Sequence, residues 1–409
     1  MSAKKNMRIA LHWQILISLL LAILAGIFLP QLVPYVAWTG DVFIRALKMI
    51  ILPLILGSII SGIIQIGSSD SLGRIGLKTL SYYFLSSLLA IVTGLILVNL
   101  FQPGTGISLK TNETVNLPNV EDNSIGNLLI EIIPANLFES MAKGEMLPVI
   151  FFALLFGFFI ARSASKHKKI LGDFFDALFH VMMKLTLFII RFTPIGIFGI
   201  VIKVVAEQDE LLDLAGSLGK YMLVVIAGLA IHSLLSLPLV LRIFGLSARK
   251  HLRAMRVPLL TAFSTSSSSA TLPLTMESAE HGAGIPNKIT GFTLPLGATI
   301  NMDGTALYEL VAAMFIAQAY GIEMTITQQI IAVFTALLAS IGAAGIPMAG
   351  LVMITIVLTA IGLPLEGVGL ILAVDRILDM FRTAVNVWSD SCAAAVIAKS
   401  EGETTNIAV

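Results

Sequence analysis

Ser264-Thr265-Ser266-Ser267-Ser268-Ser269-Ala270-Thr271-Leu272-Pro273 is polar and breaks helices, yet apolar sequence flanks it on both sides. Further along, Ser340-Ile341-Gly342-Ala343-Ala344-Gly345-Ile346-Pro347 interrupts a second apolar tract in the same way. Non-helical backbone at membrane depth is tolerated only where protein or a water-filled cavity satisfies its polar groups. Two such breaks in corresponding places point to a carrier built from broken helices and inverted repeats. Were they surface loops, their flanks would be short for full crossings, so both are expected to be re-entrant hairpins.

The rest of the chain is consistent with a membrane setting. Hydrophobic residues make up 56% of it, charged residues 12%, and the mean hydropathy is +0.92. Soluble domains carry roughly 25% charged residues. A formal net charge of +1 argues against nucleic-acid partners, which need an excess of positive charge on one face. The single cysteine, Cys392, lies in an apolar stretch and reads as a small core residue. Six early spans are expected near residues 10–30, 42–66, 80–101, 127–161, 172–205 and 218–244, with Pro148 and Pro194 as places to bend the two long ones. The first is expected to be a retained helix, since no small-residue cleavage site follows it. Basic residues fall on alternate connections: Lys4, Lys5 and Arg8; Arg74 and Lys78; Arg162 to Lys169; Arg242 to Arg256. By the positive-inside rule these loops and both termini are cytoplasmic in a plasma membrane, the inner membrane if the source is bacterial.

Between the two breaks lies Gly297-Ala298-Thr299-Ile300-Asn301-Met302-Asp303-Gly304-Thr305, again within an apolar tract. Asn and Asp beside Gly favour local unwinding, and freed carbonyls with a carboxylate are hard oxygen ligands for a small cation. In the last span, Asp375, Asp379, Arg382, Asn386 and Asp390 are spaced so that they stay on one helix face. Each buried charge costs about 2.5 to 3.5 kcal/mol even on the lenient insertion scale, so the stripe faces a polar interior. Arg382 offers a planar fork for a carboxylate, Asp379 an acceptor for an ammonium, and Thr383 and Asn386 hydrogen bonds. The serine tract offers backbone N–H groups for a second carboxylate. This set suits an acidic amino acid. Glu309 lies in the apolar run beyond Asp303 and is a candidate proton carrier, because charge is costly there.

On these motifs the chain resembles the dicarboxylate/amino acid:cation symporter family, which includes archaeal aspartate transporters and animal excitatory amino acid transporters. The resemblance spans nearly the whole chain and is densest from about residue 257 to 399. It implies an all-α fold with eight transmembrane helices and two re-entrant hairpins, assembled as a homotrimer that works as an elevator. Residues 1–66 would hold scaffold helices 1 and 2, and 67–126 transport-domain helix 3 with an external loop. Residues 127–206 would hold scaffold helices 4 and 5, and 207–409 the remaining transport domain, with helices 6 to 8 and both hairpins. It further implies substrate contacts at Ser268, Thr305, Ala344, Gly345, Asp379, Arg382, Thr383 and Asn386. One sodium site would map to Gly297, Asn301, Asn386 and Asp390, and a second to Tyr83, Ser86, Ser87, Asn301 and Asp303. A third would use mostly carbonyls of Thr299, Ser340, Ile341 and Ala343.

Some positions depart from relatives. Ser266 replaces the arginine of archaeal members, with Arg376 near in sequence to the substrate residues, and Ala343 replaces a threonine common at the gate. Glu309 matches the animal branch, where it is tied to proton co-transport. The expected function is therefore uptake of glutamate or aspartate coupled to sodium and a proton. Proton-only coupling and a C4-dicarboxylate substrate are the alternatives, and no cofactor is expected. An intramembrane hydrolase built on the serine run would need a base, yet none of the six histidines falls within the broken apolar cores. A passive channel would show no stereoselective competition between amino acids.

Overall fold

The computed structural model describes residues 11–66, 73–107, 133–143, 146–207, 211–341 and 349–408. Apart from an isolated bridge between Leu246 and Ala408, the described residues form helices and turns only. The first helices are α1 (Leu11–Phe28), α2 (Trp38–Ile66), α3 (Gly73–Phe101), α4 (Leu137–Lys143), α5 (Met146–Ala161), α6 (Ser165–Ile190) and α7 (Thr193–Glu207). Next come α8 (Leu211–Ile231), a π turn at His232–Ser236 and α9 (Leu237–Ile243). The remainder is α10 (Ala248–Thr265), α11 (Ser268–Glu277), α12 (Asn287–Ile300), α13 (Asp303–Ala319), α14 (Ile326–Ile341), α15 (Ala349–Ala360) and α16 (Val368–Ser400).

Among the described residues, four helical segments are long and apolar enough to cross a bilayer, or up to six if each bent pair is one span. The helix α16 is 33 residues long but falls outside that set because of its charged stripe. The long fifth span bends by 53° between α6 and α7, where Pro194 sits in the first turn of α7. Pro148 plays no such part: it occupies the first turn of α5, where a missing N–H costs nothing. Helix α3 begins earlier than its apolar tract because Arg74 and Lys78, at its start, both pair with Glu401.

Helix α2 packs on α5, α6 and α7, and α7 also packs on α1. Helix α13 packs on α3, α8 and α16, while α10 and α12 pack on α16. Two layers of helices result, one centred on α2 and one on α13 and α16. All of α13 except Gln318 is buried, whereas α1 and α3 leave large apolar side chains such as Leu20, Phe28, Leu85 and Leu100 exposed. In water such exposure would be costly; in lipid it is the ordinary state of a helix rim.

The serine tract folds as a tight helix–turn–helix. Ser266 ends α10 in the left-handed region (φ 52°), and Ser267 caps α11, its hydroxyl accepting from the Ala270 N–H at 3.2 Å. The arms have 18 and 10 residues, and the second arm is far too short to cross. The other break lies between α14 and α15, of 16 and 12 residues, which pack on each other. Its tip, with the expected contacts Ala343, Ala344 and Gly345, lies outside the described residues.

The candidate substrate and cation site

Helices α12 and α13 form one apolar segment interrupted at Asn301 and Met302, whose dihedrals (φ −96°, ψ 89° and φ −116°, ψ 54°) leave the helical region. In an unbroken helix the Gly304 N–H would bond the Ile300 carbonyl; here it donates to Asn386 Oδ1 at 2.8 Å. The unwinding expected from Asn-Met-Asp-Gly is therefore stabilised by a side chain of α16. Gly304 is needed for that approach, since a Cβ there would stand 2.7 Å from the Arg382 carbonyl oxygen and 3.1 Å from Asn386 Oδ1.

Asp303 opens α13 and is completely buried. Its Oδ1 accepts from the Ser87 hydroxyl at 2.6 Å. Its Oδ2 accepts from the hydroxyls of Ser86 and Ser389, the latter at 2.6 Å, and from His232 Nε2 at 2.9 Å. Asn301 Nδ2 donates to Asp390 Oδ1 at 2.8 Å and to the Ser389 hydroxyl at 3.0 Å, while Asn301 Oδ1 is buried with no hydrogen-bond partner among the described residues. Oxygen atoms of Ser86, Ser87, Ser389, Asn301, Asp303 and Asp390 thus gather in one buried pocket, the donor chemistry a small hard cation takes. Gly297 lies against Asp390 and the Tyr83 hydroxyl, which would be 2.7 Å from a Cβ at that position. The Tyr83 hydroxyl donates to the Thr293 carbonyl at 2.7 Å, placing it on the Asp390 side rather than on Asp303.

The expected third set is more scattered. Thr299 Oγ1 donates to the Leu296 carbonyl at 2.9 Å, and Ser340 Oγ to the Leu337 carbonyl at 2.8 Å. Ile341 ends α14, which touches α12.

On α16, Arg382 is 1% exposed and its Nη2 donates to Asp379 Oδ1 at 2.9 Å, while standing 3.1 Å from Asp375 Oδ1. The guanidinium lies over the Tyr308 ring, 3.8 Å from its centroid, and against the backbone of Gly350 at the start of α15. Arg382 Nε and Nη1 have no hydrogen-bond acceptor among the described residues. Arg376 Nη1 stands 3.6 Å from Asp379 Oδ2. Asn386 Nδ2 donates to Thr305 Oγ1 at 3.1 Å, Thr383 Oγ1 donates to the Asp379 carbonyl at 2.8 Å, and Ser268 is buried in the first turn of α11, which packs on α16. Glu309 is fully buried in α13, and neither carboxyl oxygen has a partner among the described residues.

Two contributors were not singled out from sequence: Ser389 bridges Asn301 and Asp303, and His232 donates to Asp303. Asp375, read as part of the charged stripe, shares Arg382 with Asp379. Although no histidine lies within the broken segments in sequence, packing brings one there: His232, in the π turn after α8, meets the α12–α13 break across the fold. His251, in α10, is buried too, with Nε2 3.1 Å from the Ser391 hydroxyl. That pair is no nucleophile and base, because Ser391 directs its proton to the Trp388 carbonyl at 2.8 Å and must accept from His251.

Helices broken around buried carboxylates, with an arginine whose Nε and Nη1 find no acceptor among the described residues, define a secondary carrier for an anionic solute. The model of the sodium:dicarboxylate symporter family matches residues 11–400. The chain belongs to that family, whose members are multi-pass membrane transporters and not enzymes. It is 37% identical over 408 residues to the proton/sodium-glutamate symport protein of Geobacillus stearothermophilus, covering 97% of this chain and 96% of the relative. It is 38% identical over 414 residues to the proton/glutamate-aspartate symporter of Escherichia coli (97% and 94% covered) and 38% over 453 residues to excitatory amino acid transporter 3 of Mus musculus (95% and 85% covered).

Proposed function

We infer that this chain takes up L-glutamate or L-aspartate by symport with sodium and a proton. The observation that carries the reading is Arg382: a buried guanidinium held at one nitrogen by Asp375 and Asp379, with no acceptor for Nε or Nη1 among the described residues. A substrate carboxylate supplies those acceptors and offsets the desolvation of the arginine. Asp379 then takes the substrate ammonium. Ser268 and the first turn of α11, Thr305, Thr383, Asn386, Ala344 and Gly345 complete the enclosure. The printed activities of the three relatives support this choice of solute and coupling.

Sodium ions are the co-transported cargo. The assigned ligands are Gly297, Asn301, Asn386 and Asp390; Tyr83, Ser86, Ser87, Asn301 and Asp303; and carbonyls of Thr299, Ser340, Ile341 and Ala343. Hydroxyls that now donate to Asp303 would turn their lone pairs to the ion. The proton travels on Glu309. A fold of eight spans and two hairpins moves as an elevator: residues 1–66 and 127–206 form the scaffold of a homotrimer, while residues 67–126 and 207–409 carry the solute. The second hairpin is the gate, and both termini face the cytoplasm of a bacterial inner membrane.

A second reading, proton coupling without sodium, is favoured by one observation: Asp303 accepts from four protein donors, Ser86, Ser87, Ser389 and His232, enough to satisfy its carboxylate. Uptake of labelled L-aspartate and L-glutamate into proteoliposomes, with sodium and pH gradients imposed separately, distinguishes the two. Dependence on inward sodium supports the first reading; full uptake on a pH gradient in sodium-free medium supports the second. Absence of saturable uptake under either gradient overturns both.

A further inference from the structure

A cavity of about 530 Å³ lies outside the site described above, where α3, α9 and the end of α16 meet. It opens on the exposed face of α3, and its walls are apolar: Leu85, Leu89, Leu237, Val240, Val396 and Ile397. From Lys78 at one end to Leu89 at the other, the α3 wall runs for about 16 Å at about 1.5 Å per residue. One leaflet of hydrocarbon is roughly 15 Å thick, half of a core of roughly 30 Å. The cavity therefore has the depth of a single acyl chain in one leaflet.

The open end carries the complementary charge. Arg74 and Lys78 converge on Glu401, which accepts from Nε and Nη2 of Arg74, leaving the outer edge of a guanidinium whose side chain is 76% exposed. Two cations, Arg74 and Lys78, stand against one carboxylate at this rim. One helical turn deeper, Tyr82 also lines the cavity.

We propose that the cavity holds one acyl chain of an anionic diacyl phospholipid, with its phosphate on Arg74 and Lys78. Ser86 lies in the cavity floor and donates to Asp303, so the bound chain backs the helix that carries part of the candidate cation site.

Native mass spectrometry of the detergent-solubilised full chain, titrated with phosphatidylglycerol or phosphatidylcholine, tests this. The expected result is one phosphatidylglycerol per protomer, retained at least about tenfold more tightly than phosphatidylcholine. Val240→Trp, which fills the cavity, loses that lipid, and Leu85→Trp fills it from the other wall should the first variant not fold. An Arg74→Gln, Lys78→Gln double variant keeps a bound lipid but no longer prefers the anionic head group. Equal retention of the two lipids by the native chain, or undiminished phosphatidylglycerol retention in the filled variants, overturns the proposal.

Discussion

His232 Nε2 lies 2.9 Å from Asp303 Oδ2, and neither side chain is exposed. The imidazole arrives there because α8 passes into a π turn at His232–Ser236, where the Leu237 N–H bonds the His232 carbonyl ahead of Pro238, which has no N–H to give. A donor to a buried carboxylate contributes about 1.5 to 3 kcal/mol. His232→Leu is therefore expected to lower the stability of ion-free protein by that amount, with His232→Gln recovering part of the loss. Thermal unfolding in sodium-free buffer measures it. An unchanged midpoint in His232→Leu would mean that the hydroxyls of Ser86, Ser87 and Ser389 satisfy Asp303 unaided.

Arg382 anchors two carboxylates through one nitrogen, so its removal has two separable effects. Arg382→Ala leaves Asp375 uncompensated in a buried setting and Asp379 without its nearer cation, a loss of about 3 to 5 kcal/mol that shows in expression and thermal stability. Arg382→Lys keeps the charge but not the fork, and L-aspartate binding is expected to weaken by at least about 30-fold, or about 2 kcal/mol. Titration calorimetry on the lysine variant reads the second effect alone. Binding within threefold of the native value would remove Arg382 as the carboxylate receptor.

The legible part of this molecule was the part written along one helix. The spacing of Asp379, Arg382, Asn386 and Asp390 on α16, the unwinding at Asn301 and the serine turn at Ser266 are all local, and the structure has them. His232 and Ser389 escaped because their importance comes from packing across helices. A lone histidine in an apolar span and a serine among small residues have no periodic signal. A proline in the first turn of a helix, as Pro148 is in α5, leaves no kink in that helix; at Pro194 the bend comes with the break between α6 and α7. Tyr83 illustrates the limit in the other direction: its helix and neighbours were foreseen, but the direction of its hydroxyl, toward the Thr293 carbonyl, depends on a side-chain torsion.

Glu309 has no partner among the described residues for either carboxyl oxygen, although it is completely buried. An isosteric amide at this position cannot exchange a proton. Glu309→Gln is expected to keep the fold and substrate binding while uptake loses its response to external pH. Initial rates in proteoliposomes over a range of external pH, at saturating substrate and fixed sodium, are the measurement. A native-like pH profile in this variant moves the proton to another group.

Glu401, just past the end of α16, has its carboxyl held below the usual glutamate range by hydrogen bonds from Arg74 and Lys78. Because the folded value is depressed, the latch contributes fully above the unfolded value, about 4.3, and is lost as pH falls through the folded one. Glu401→Gln should thus lower stability at neutral pH, with the gap to the native chain closing on acidification below about pH 4. Paired unfolding curves across that range test the sign. A gap that widened toward acid would show that the carboxylate is not stabilised by its two cations.

Gly297 faces Asp390 and Tyr83 so closely that a methyl group has no room, its carbon standing 2.7 Å from the Tyr83 hydroxyl and closer still to Asp390 Oδ1. Both neighbours are buried and hydrogen-bonded, Tyr83 to Thr293 and Asp390 to Asn301, so neither can swing aside without breaking a bond. Overpacking of this kind costs about 1 to 3 kcal/mol. Gly297→Ala is expected to displace Asp390, weakening sodium dependence of uptake by at least about tenfold while leaving the fold intact. Gly291, whose added Cβ would meet nothing closer than 3.7 Å, supplies the control: Gly291→Ala should transport normally. If Gly297→Ala kept the native sodium dependence, the Asp390 cluster would be a structural brace, and the cation would bind on Asp303 alone.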